Sequence, residues 1–199
     1  MCIRDSTYID ELKKARIRVF NFYSKDSTYK IVDSRTAEEG AVTNDMTYQK
    51  GAWVLHMLRE KMGHEAFREG IRSYYHAFYN KNATTDDFFE VMQKFSKVPL
   101  NTFRNQWLHR PEVLNVQVAW SYDSTTSQVE VKIDQKQSTG FTFEFPIEIE
   151  LVDAISKKIV SFECSGKSST FKIKVDKNPL ALLADPRTTL LAKIEVKEQ

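Results

Sequence analysis

The sequence predicts an α+β protein in two parts, an all-helical region followed by an antiparallel β-sandwich. Two observations carry this. Apolar residues recur at three- and four-residue spacing as far as Trp107, the mark of helices with one buried stripe. From Leu114 onward they alternate, the mark of half-buried strands. The switch falls beside Pro111. The expected parts are therefore a helical region over 7–112 and an Ig-like sandwich over 113–199, with Met1–Ser6 set aside as a non-native leader.

Tyr8, Ile9, Leu12, Ala15, Val19, Phe20 and Tyr23 draw one stripe on a first helix. Ser24 to Asp45 breaks the pattern with Ser, Asp, Thr and Gly40, a loop long enough to point to function. A second helix is expected from Thr47, with Ala52, Leu55, Leu58 and Met62 inward, until Gly63 stops it. A third runs from His64 to Tyr79. Thr85 reads as the N-cap of a fourth, with Asp86 and Asp87 in the first turn where carboxylates suit the helix dipole. Leu100 to His109 makes a short last helix. Strands are expected over Leu114–Tyr122, Val129–Ile133, Phe141–Leu151, Ile159–Cys164, Phe171–Val175 and Leu190–Val196. Turn-forming residues such as Ser138-Thr139-Gly140 and Ser165-Gly166 lie between them.

Lys and Arg number 29 against 27 Asp and Glu, a net charge of +2, so no concentrated basic field marks a nucleic-acid or membrane surface. No apolar run approaches the roughly 18 residues of a membrane helix, and the first residues lack a signal-peptide apolar region. The two cysteines, Cys2 and Cys164, allow at most one bridge, so no disulfide framework is expected.

Chemistry-bearing motifs are sparse. A zinc helix of the H-E-x-x-H type needs two histidines four apart to aim both imidazoles from one face. His64-Glu65 begins that pattern, but Arg68 stands where the second His belongs. His56 and Glu60 have ligand spacing without a third partner, and Asp86-Asp87 is explained by its helix start. There is no G-x-S-x-G, P-loop or G-x-G-x-x-G. Residues taken singly therefore give no complete active site.

Taken in series they do more. Tyr48-Gln49-Lys50-Gly51-Ala52-Trp53-Val54-Leu55-His56-Met57-Leu58-Arg59 resembles the Y-x-K-G-A-x-v-L-x-M-L-R segment of the aminopeptidase N family of zinc metallopeptidases. In register follow Gly63-His64-Glu65-Ala66-Phe67, Ile71 with Tyr74, Thr84-Thr85-Asp86-Asp87-Phe88 and Phe103-Arg104-Asn105-Gln106-Trp107-Leu108, which resemble the later helices of that family's catalytic domain. Trp120-Ser121-Tyr122-Asp123, Asp185-Pro186 and Leu190-Leu191 are similar to the sandwich that follows it.

The resemblance implies the helical end of a thermolysin-like catalytic domain, then a β-sandwich, from an enzyme that hydrolyses the N-terminal residue of peptides. It implies zinc, held in the family by the two His of H-E-x-x-H and a later Glu, with a G-x-M-E-N strand for the substrate's α-amine. None of these motifs is in this sequence, so the chain alone is expected to be inactive and to expose an apolar patch where the zinc-bearing helices would pack.

Of the family's catalytic residues only the tyrosine before x-K-G carries over, onto Tyr48, as donor to the developing oxyanion; Thr43 stands where some members have a second tyrosine. The expected partner is a peptide substrate, and the family tilts location toward secreted or periplasmic. The alternative is a non-catalytic interaction member of the same fold.

Overall fold

In a computed structural model, residues 3–33 and 44–198 are described, with the backbone alone for 3–6 and Asp45. Five helices precede seven strands among them: α1 Ile3–Tyr23, α2 Asp45–Met62, α3 His64–Phe78, α4 Thr85–Phe95 and α5 Asn101–Leu108. The strands are β1 Leu114–Asp123, β2 Gln128–Gln135, β3 Phe145–Val152, β4 Lys157–Cys164, β5 Ser168–Lys174, β6 Ala181–Ala184 and β7 Ala192–Glu198. The fold class is α+β, as the two periodicities require. Cys2, Gly40 and Thr43 lie outside the described residues.

The chain divides into two units, Thr28–Pro111 and a second that joins α1 to everything from Glu112 onward. The sequence grouped α1 with the other helices; the structure groups it with the strands. The physical reason is its stripe. Leu12, Ala15, Val19 and Tyr23 are buried, and Arg16 on the same helix sends its guanidinium to the Leu190 carbonyl at 3.5 Å and the Asp185 carboxylate at 3.6 Å. Asp185 also accepts from the Thr189 backbone N–H at 2.6 Å and hydroxyl at 2.9 Å. Burial nevertheless pushes its carboxyl above the usual range.

The strands form a four-stranded sheet, ordered β5-β2-β1-β7, and a three-stranded sheet, ordered β4-β3-β6. Val116, Val118, Trp120, Val129, Val131 and Ile133 line the buried side of the first, and Phe145, Ile147, Ile149 and Leu151 that of the second. One pair departs from the antiparallel expectation: β7 runs parallel to β1, Val116 beside Ile194. β7 reaches that edge by crossing from the other sheet, and only a crossover permits parallel pairing, since a hairpin reverses the chain.

Two strand expectations also change. Phe141 to Glu144 alternate but stay outside β3, because Phe143 finds its partner in a side chain. The Gln135 amide accepts from the Phe143 N–H at 2.8 Å and donates to its carbonyl at 2.8 Å. β6, only Ala181-Leu182-Leu183-Ala184, shows no alternation and escaped the sequence reading.

In the helical unit α2 starts from Asn44, whose side chain accepts from the Thr47 N–H at 3.1 Å, and stops at Gly63 with φ 85°. Its inward face is not the expected one. Met46, Lys50, Trp53, Val54, Met57 and Leu58 are buried, while Ala52 and Leu55 are exposed and Met62 is half-buried. Trp53, with Met46, Met57 and Leu58 beside it, outweighs Tyr48 and Leu55 on the other side and sets the rotation. α4 is capped by Thr84 rather than Thr85, in a reciprocal box. Thr84 Oγ1 accepts from the Asp87 N–H at 3.2 Å and the Asp87 carboxylate from the Thr84 N–H at 2.8 Å. The carboxylate reading of Asp86 and Asp87 thus finds its structural explanation. α3 and α4 touch closely at Gly70, where a Cβ would come within 2.7 Å of Met92 Sδ.

Candidate functional site

Tyr48 stands in the first turn of α2 and is 69% exposed. It is an aromatic on the open side of its helix, with no hydrogen-bond partner among the described residues. Its surroundings are firmly fixed. Asn44 caps the helix, and the Tyr29 and Thr47 hydroxyls share a 2.9 Å hydrogen bond that ties the incoming chain to the same turn. The Val32 N–H donates to the Leu108 carbonyl at 3.1 Å, holding that segment to the end of α5.

Lys50, two residues on, faces the other way and is fully buried. Desolvation disfavours its charged form and brings its ammonium down to about 7. A helical lysine ordinarily keeps its ammonium in water; this one is an interior group. Only its stem, long enough to line apolar surface, hinted at that.

Next along the exposed side of α2, Gly51 meets nothing within 4 Å of where a Cβ would be. Gly51, Val54 and Leu55 form one wall of a pocket of about 310 Å³ whose other walls are Ile31, Tyr74, Thr84, Thr85, Phe88, Phe89 and Leu108. Tyr74 meets Phe88 edge to face at 5.1 Å, which fixes the aromatic side of it. The sequence reading missed this pocket because its walls come from five separate segments.

The metal-ligand candidates do not assemble. His56 is buried against Trp53, ring centroids 5.5 Å apart, and its Nδ1 lies 3.2 Å from the Arg59 guanidinium. Glu60 turns to the same Arg59 at 3.5 Å. Glu65 pairs with Arg68 at 3.0 Å on the surface, and Asp86 with Arg104 at 2.8 Å. Burial, with Arg104 nearby, holds His109 below the usual imidazole range. Among the described residues no three His, Cys, Asp or Glu side chains come together. This donor set does not fit a zinc ion, whose sites need at least three protein ligands around one point. Cys164 is buried and unbridged, and burial pushes its thiol up to about 11, which leaves it inert as a nucleophile.

Residues 8–107 match the peptidase family M1 domain, half of the chain. The chain belongs to peptidase family M1. Over 118 residues it is 32% identical to aminopeptidase N of Escherichia coli strain K12, an alignment covering 56% of this chain and 13% of that protein. Over 132 residues it is 29% identical to glutamyl aminopeptidase of Bitis rhinoceros, covering 63% of this chain and 13% of the relative. The M1 chain thus spans about an eighth of the length of these relatives. Its fold is similar to that of Legionella pneumophila aminopeptidase A, solved in complex with aspartic acid. The TM-score is 0.69 at 16% identity, over 88% of this chain and 21% of the other.

Proposed function

We propose that this chain is the C-terminal portion of a zinc-dependent metallo-aminopeptidase, supplying the helical end of the catalytic domain and the β-sandwich, and that Tyr48 serves its reaction. The observation that carries the reading is Tyr48 itself. An aromatic at a helix start ordinarily packs on its neighbours, whereas this one is 69% exposed at the head of the helix in the segment that resembles the family's tyrosine motif.

A phenol keeps its proton at neutral pH and donates one hydrogen bond. When water attacks a peptide carbonyl, negative charge gathers on the oxygen. A donor placed there binds the transition state more tightly than the substrate, which is what raises a rate. Asn44 and the Tyr29–Thr47 bond hold the turn that presents the phenol, so little motion is needed at the moment of reaction. The described residues do not fit the metal. Zinc and the general base belong, in this proposal, to polypeptide outside these residues, and the 199-residue chain alone is inactive.

The test compares two proteins on an aminoacyl anilide and on the same compound acetylated at its amine. The full-length protein is expected to cleave only the free-amine compound, and the 199-residue chain neither. A full-length protein that cleaves neither supports the non-catalytic member of the fold instead.

A further inference from the structure

Gly51 sits in the interior of α2, where glycine costs about 0.5–1 kcal/mol relative to alanine. Packing does not explain it, for nothing among the described residues lies within 4 Å of the missing Cβ. Its φ is not in the left-handed region either, so no turn demands it. A glycine at such a place leaves room for a group from outside. That room is the 310 Å³ pocket formed with Val54, Leu55, Tyr74, Thr85 and Phe88.

Tyr48, Gly51 and Leu55 fall at i, i+3 and i+7, one face of the helix. At a rise of 1.5 Å per residue, Gly51 and Leu55 lie about 4.5 and about 10.5 Å along the axis from Tyr48. Side chains lean toward the helix N-terminus, which carries the phenol away from the pocket and lengthens the separation to about 10 Å or more. An extended peptide covers that in about three residues. An aminopeptidase has one residue before the carbonyl it attacks, so a pocket this far off is reached only by the leaving peptide.

We propose that the Gly51 pocket is a specificity site for a large apolar side chain at the third or fourth residue of the peptide substrate. The occupant presses on Gly51, its ring meets Phe88 and Tyr74, and Leu55 forms the rim. The inference rests on the Tyr48 reading, because the direction and distance are measured from that phenol.

Steady-state kinetics on the full-length enzyme test it with three substrates: an alanyl anilide, tetra-alanine, and a tetrapeptide with Phe at the third and fourth positions. The wild type is expected to favour the Phe peptide over tetra-alanine by about tenfold or more in kcat/KM, through KM. Gly51→Leu, which fills the pocket, removes that preference and costs the Phe peptide far more than it costs the anilide. Tyr48→Phe lowers kcat on all three alike, so failure of the phenol reading and failure of the pocket reading are told apart. No preference in the wild type, or a Gly51→Leu loss shared equally by the anilide, overturns the proposal; the second result means that the protein's own polypeptide fills the pocket.

A second measurement is independent of turnover. N-acetyl-phenylalanine amide titrated into the 199-residue chain is expected to shift the amide signals of Gly51, Leu55 and Thr85 saturably. Gly51→Ala, which favours the helix, should retain the effect and Gly51→Leu should lose it. Absence of those shifts overturns the proposal.

Discussion

Lys50 is a buried amine, and burial disfavours its charged form. In the folded chain burial brings it down to about 7, whereas an unfolded lysine titrates near 10.4. Between those values the unfolded state binds more protons, so stability rises with pH there. Below about 7 both states are charged, and the cost of holding the ammonium inside is present in full. The expected slope is about 1.4 kcal/mol per pH unit between pH 7.5 and 9.5, read from urea midpoints. Lys50→Met, which keeps the length without the charge, should flatten it. At the same scale Gly51 and Gly70 separate two meanings of one residue type. Gly70 is small because Met92 occupies the space, while Gly51 borders open room. Nothing in the order of residues distinguishes them, since burial of a missing side chain leaves no periodic trace.

Among the elements, the buried polar groups decide where strands begin. Gln135 binds the Phe143 N–H and carbonyl and donates to the Gly166 carbonyl at 2.7 Å. Gln135→Leu fits the space but leaves buried backbone groups unpaired, and should cost at least about 2 kcal/mol in chemical denaturation. A cost under half of that would mean the segment re-forms as ordinary strand. The elements legible in the sequence were those whose signal is local: the alternation of β1 and β2, the stop at Gly63, the acidic first turn of α4. Those misread depended on what lies opposite. The inward side of α2 was set by Trp53 with the apolar residues beside it, the start of β3 by a glutamine ten residues before it, and β6 had too few residues to show a period.

For the whole molecule, α1 and the sandwich behave as one unit through Arg16, Asp185 and Leu190. Arg16→Ala should lower the stability of that unit by about 1–3 kcal/mol, because Asp185 keeps its Thr189 bonds but loses the cation beside a buried carboxylate. Unfolding followed at Trp120 reports it, and no change there would mean that the α1 stripe alone holds the helix.

The family was legible because several short segments occur in order, each weak alone. The role proposed for Tyr48 rests on that same order, since one exposed tyrosine has no signature of its own. The pocket was not, because tertiary folding alone brings Ile31, Tyr74 and Phe88 to α2.

The measurement that bears most directly on the account is kcat for Tyr48→Phe in the full-length protein, with bound zinc determined on the same sample. Losing the donor should lower kcat by about 10²–10³ with KM little changed and zinc retained, the effect of removing one oxyanion hydrogen bond. An unchanged kcat with zinc in place would contradict the role given to Tyr48 and leave it an ordinary surface aromatic.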